Sequence, residues 1–111
     1  MNPMNSTGSA VVVMITATSE QEAHKIGELL VDKKKAACVN ILPRADSLFR
    51  WKDKIDSAHE NLLLVKTRAS LLPEVISLVK EVHSYEVPEI IALPIVNGSK
   101  DYLNWLDSAC R

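Results

Sequence analysis

One short stretch, "HSYEVPEI", brings together an imidazole, a phenol and two carboxylates: His83, Tyr85, Glu86 and Glu89. His83 lies one helical turn beyond Val79, which puts it near the inner face of a helix at its C-terminal end. The negative end of the macrodipole favours imidazolium there, so the plainest role for His83 is a helix-terminal cap. A thiol in "AACVNILP", Cys38, offers a second donor. Imidazole nitrogen and thiolate together suit copper or zinc. Alone, a cysteine between apolar neighbours in a strand is a small hydrophobe. The chain has no C-x-x-C and no H-x-x-x-H, so a metal site must be assembled by folding or between chains. Glu60 and Lys66 flank "ENLLLVKT" at an even spacing, which turns both to one side of a strand. They line a polar cleft or form a rim salt bridge. Trp51 and Trp105 are large anchors in a chain with only 5% aromatics, expected at core edges or a subunit interface. His24 and His59 have no obvious partner and read as surface residues.

No catalytic constellation accompanies these groups. G-x-S-x-G, the P-loop and G-x-G-x-x-G are all missing, and the three glycines are isolated. A net charge of −1 gives no basic surplus for general nucleic-acid binding. No apolar run approaches the ~20 residues of a membrane span, and the polar start, "MNPMNSTGSA", lacks a signal-peptide pattern. The expected location is therefore the cytoplasm. Two cysteines, Cys38 and Cys110, are too few for a disulfide scaffold and are expected as free thiols, Cys38 the more buried and Cys110 near a fraying end.

The elements that must position these residues follow from periodicity. Residues 1–9 read as a flexible tail and 10–111 as one domain. "AVVVMITA" (10–17) is a buried strand. Ser19 and Glu22 form a capping box that starts a helix with Ala23, Ile26, Leu29 and Leu30 on its apolar face. Lys33, Lys34 and Lys35 close it as a solvated cationic cap. Strand character returns at 36–43, with Pro43 as a stop, and alternates through "SLFRWK" (47–52). "WKDKI" is a tight hairpin turn with Asp53 accepting positive φ, and "NLLLVKT" (61–67) returns. A second helix over 68–83 starts at Ser70, takes Pro73 in its first turn, and packs Leu72, Val75, Ile76, Val79 and Val82 inward. "EIIALPIV" (89–96) is a strand that Pro94 assigns to an edge or a bulge. A short helix over 100–110 ends the order.

The succession β-α-β-β-α-β-α predicts a ferredoxin-like α+β fold: an antiparallel sheet with two helices on one face, plus a short C-terminal helix. Its central strands are apolar at successive positions, so both faces require burial. A lone chain would leave one apolar face in water, which predicts self-association.

The blocks "LVDKKKAACVNILP", "SLFRWKDKI", "ENLLLVKT", "HSYEVPEIIALPI" and "DYLNWL", in this order, resemble the divalent-cation tolerance (CutA) family from about Val11 to Leu106. The resemblance implies a compact homotrimer, with copper(II) or another divalent metal as ligand and no obligatory cofactor. It places Cys38, Trp51, Glu60, Lys66, His83, Tyr85, Pro88, Glu89, Tyr102 and Trp105 on family motif blocks. Cys38 and His83 look like candidate metal ligands, and Lys66, Tyr85, Glu89 and Trp51 like cleft residues. Two positions depart from the pattern. Some members carry a further cysteine where Met14 and Ile15 stand, which weakens a thiolate-rich site. The hairpin glycine is replaced by Asp53, which tolerates the turn.

Two functions are therefore expected in competition. The first is a non-enzymatic trimer binding divalent metal, chiefly copper(II), between subunits through His83, Cys38 and Glu60. The second is a PII-like signalling or scaffold trimer that holds a small anion or metabolite with Lys66 beside Tyr85. An enzymatic reading names no reaction.

Overall fold

The computed structural model describes residues 9–111, so all but Ser9 of the expected 1–9 tail lies outside the described residues. Strand β1 (Ala10–Ala17) is followed by helix α1 (Glu20–Asp32), then strands β2 (Cys38–Trp51) and β3 (Lys54–Arg68). Helix α2 (Leu72–Val82), strand β4 (Ile90–Pro94) and helix α3 (Lys100–Ala109) complete the order. The four strands form one antiparallel sheet in the order β2-β3-β1-β4, the ferredoxin-like arrangement. Pro94 lies on β4, an edge strand paired only with β1, where a missing N–H costs no ladder bond. Among the described residues no helix is long and apolar enough to cross a membrane.

Local chemistry explains most boundaries. Ser19 caps α1 by accepting the Glu22 N–H at 3.0 Å. Glu22 reaches back one residue further than a capping box requires, to the Thr18 N–H at 2.8 Å. Ser70 caps nothing; a 3-10 turn over Ala69–Leu71 precedes α2, and Pro73 takes the first turn as expected. At the hairpin both Lys52 (φ 52°) and Asp53 (φ 64°) are left-handed, the two-residue turn whose twist matches the strands.

Pro43 does not stop β2. The strand passes through it because a bulge between Leu42 and Ala45, with Arg44 at φ 68°, absorbs one extra residue. The three lysines are not a plain solvated cap either. Lys33 is the C-cap residue, Lys34 turns the chain at φ 61°, and half-buried Lys35 pairs with Glu74 at 2.8 Å. Lys35 also donates to the Arg111 carbonyl.

The core lies between the helices and one sheet face. Val11, Val13 and Ile15 of β1 and Leu63 and Val65 of β3 pack on Ala23, Ile26, Leu30, Val75 and Val79. The alternate residues occupy the other face: Val12 and Met14 half-buried, Leu62 and Leu64 half-buried, Leu42, Ile91 and Leu93 exposed. Successive side chains of one strand point to opposite faces, so this second apolar surface is the direct consequence of unbroken apolar strands.

Candidate functional site

The predicted site residues fall into two clusters separated along β3. Glu60 pairs in register with Ala45, where the hairpin leaves the body, while Lys66 pairs with Cys38. Six residues of strand separate Glu60 from Lys66, about 20 Å at ~3.3 Å per residue. Glu60 and Lys66 do share a face, but they form no salt bridge with each other.

At the hairpin end His83 is the C-cap residue of α2, as the sequence suggests, with a fully buried ring. Its Nε2 lies 2.7 Å from the Thr16 carbonyl oxygen, and its Nδ1 lies 3.0 Å from the Tyr85 backbone nitrogen. A carbonyl only accepts and a backbone N–H only donates. The partners therefore assign the neutral tautomer with the proton on Nε2. Both ring nitrogens are used, so His83 turns no lone pair outward for a metal. Its work is to join the ends of β1 and α2 and to fix the Tyr85 backbone.

Tyr85 extends the cluster. Its ring centroid is 5.2 Å from that of His83, and its hydroxyl donates to Glu60 Oε2 at 3.1 Å. The Ser47 hydroxyl donates to Glu60 Oε1 at 2.5 Å. Glu60 is thus a buried carboxylate with one hydroxyl on each oxygen, although it lies at the margin of the sheet. Burial raises the Tyr85 pKa above the usual phenol value, and the hydrogen bond and charge of Glu60 raise it further.

Glu22 closes the cluster from α1. Its Oε1 accepts from the Thr18 N–H and hydroxyl, and its Oε2 accepts from the Ser84 N–H at 2.7 Å. Burial alone would raise its pKa. The donors on Thr18 and Ser84 outweigh burial and lower the pKa to about 2.

At the other end Cys38 is half-exposed, and Cys110 is the buried thiol, the reverse of expectation. α3 packs the chain end against Leu71 and Leu106, and the Cys110 thiol donates to the Leu106 carbonyl. Cys38 sits with Asn40, whose Oδ1 accepts from the Lys66 ammonium. Tyr102 of α3 completes this group. Burial, then the neighbouring Cys38 thiol, raise the Tyr102 pKa. Trp105 packs on Tyr102 at 5.4 Å and stays 47% exposed.

Within one chain, then, Tyr85 and Glu60 meet, but Cys38 meets neither His83 nor Glu60, and Lys66 does not meet Tyr85. Glu89 is exposed where the chain enters β4, and Trp51 is exposed beside the hairpin turn. No three His, Cys, Asp or Glu side chains among the described residues converge to hold a metal ion. Sequence reasoning missed Ser47, Asn40 and the link from Glu22 to Ser84. It also gave His59 no partner, whereas His59 Nδ1 lies 2.6 Å from Asp46 Oδ1. The signal was present: Asp46 and His59 are equidistant from the Lys52–Asp53 turn, so the turn makes them cross-strand neighbours.

These features define a ferredoxin-like α+β module with an uncovered apolar sheet face and two polar clusters separated along β3. The chain belongs to the CutA1 divalent ion tolerance protein family, whose profile matches residues 11–109. It is 47% identical over 95 residues to the divalent-cation tolerance protein CutA of Thermus thermophilus, covering 86% of this chain and 92% of that one. It is 41% identical to the chloroplastic CutA protein of Arabidopsis thaliana over the whole of this chain, which spans 61% of that protein's length. A solved structure of the Thermus thermophilus protein superposes with a TM-score of 0.90 at 44% identity, over 92% of this chain and 99% of that one. The Oryza sativa CutA1 structure gives 0.92 at 40% identity, over 95% and 96%.

Proposed function

We propose that this chain works as a non-enzymatic cytosolic homotrimer that binds divalent metal ions, copper(II) among them, at sites completed between copies. The family's divalent-cation association supports the ligand class. The observation that carries the reading is the open sheet face. It is apolar at its centre and bears the half-buried Cys38 at one end. Burying that face against other copies removes apolar area from water at roughly 25 cal/mol per Å². The same association brings donors of different chains together, which a single described chain does not do. Cys38 is the soft donor of choice for copper, whereas Glu60, expected as a ligand from the sequence, has both oxygens occupied by the Ser47 and Tyr85 hydroxyls. His83 supports Glu60 through Tyr85 rather than ligating.

Calorimetric titration of copper(II) into the purified protein tests this reading. Saturable binding that is weakened by Cys38→Ser is the expected result. An absence of saturable binding in the parent would overturn it.

A further inference from the structure

We propose that the hairpin carries a separate divalent-metal site, with His59 Nε2 as ligand and Asp46 as the group that orients it. The inference rests on the metal-binding reading above and names a different residue for it.

The chain's three imidazoles differ in what their nitrogens can do. His83 has both nitrogens occupied inside the protein. His24 lies exposed on α1, with no group fixing its ring. His59 is 93% exposed, yet its Nδ1 lies 2.6 Å from Asp46 Oδ1 on the facing strand. An ionised carboxylate only accepts, so in the neutral ring the proton sits on Nδ1. The lone pair is then on Nε2, which projects away from the carboxylate towards solvent. A carboxylate on one nitrogen with the other left open is the arrangement that orients metal-ligating histidines and raises their basicity.

The scaffold suits the role. Asp46 and His59 are directly opposed in an antiparallel pair at the base of the hairpin, next to the Ala45–Glu60 pair. Sites on paired strands hold geometry better than sites on loops. One imidazole nitrogen selects copper(II), nickel(II) or zinc(II) over magnesium and calcium. Water or donors from another copy complete the coordination. Protons compete with the metal for Nε2, so binding weakens as pH falls.

The test is copper(II) titration of the whole chain, followed through the imidazole ring proton signals and repeated with His59→Gln, Asp46→Asn, His24→Gln and Cys38→Ser. The His59 signals should broaden first, at copper well below one equivalent. His59→Gln should abolish this site at an unchanged melting temperature, and Asp46→Asn should weaken it about tenfold. His24→Gln should leave the site intact, and magnesium should produce no change in the ring signals. If His59→Gln bound copper like the parent while Cys38→Ser lost it, the hairpin site would be wrong and the functional reading would stand. If copper neither broadened any ring signal nor bound saturably, both would fall.

Discussion

Leu63 and Leu64 are the same residue at adjacent positions of β3, and they face opposite worlds. Leu63 is fully buried among the helices, while Leu64 lies half-covered on the open face. The two ends of that open face differ in the same way. At the hairpin end His83, Glu22, Tyr85, Ser47 and Glu60 satisfy one another inside one chain. At the α3 end the Cys38 thiol remains half-exposed. One face and one end are finished by folding. The other face keeps its apolar side chains partly exposed, and the other end keeps Cys38 partly exposed.

Substitutions along β3 break this comparison most strongly. Leu63→Ala should cost about 3 kcal/mol of folding stability through lost burial and a cavity, measured by denaturant unfolding. Leu64→Glu should leave the chain folded and act instead on assembly, lowering the molar mass in solution. Equal unfolding by both would mean that the two faces are not different in kind.

The hairpin-end network gives the next effects. Glu22 titrates near 2 in the folded chain against 4.5 as a free side chain. Its folded pKa is depressed, so its stabilisation is complete above the unfolded value. It is lost as pH falls through 4.5 towards 2. Glu22→Gln should flatten that acid limb in pH-dependent melting. His83→Ala strands the Thr16 carbonyl and the Tyr85 N–H, and should lower stability by about 2 kcal/mol by thermal unfolding. Tyr85→Phe removes one hydroxyl from Glu60 and should cost about 1 kcal/mol, the smallest of these effects.

The sequence makes plain what is local. The β1 run, the Ser19 cap, the hairpin turn at Asp53 and the edge position of Pro94 each rest on a few neighbouring residues, and each is found in the structure. The second apolar face was equally legible, because strand alternation turns an unbroken apolar run into two apolar faces. The site was less so. The partner of His83 is a backbone carbonyl, which has no signature in residue types, and the second anchor of Glu22 lies 62 residues away. Motif blocks name Cys38 and His83 together but carry no distance, and the sheet separates them along its strands. The helix-ending lysines and the Cys110 terminus were misjudged because local tendencies yielded to the packing of α3 and α2.

The most direct test of the uncovered face is the molar mass of the parent protein by light scattering across a range of concentrations. A trimer gives a constant mass three times the 12.3 kDa of one chain, and that is the expected result. A constant 12.3 kDa would contradict it, because the apolar face would then be stable in water alone.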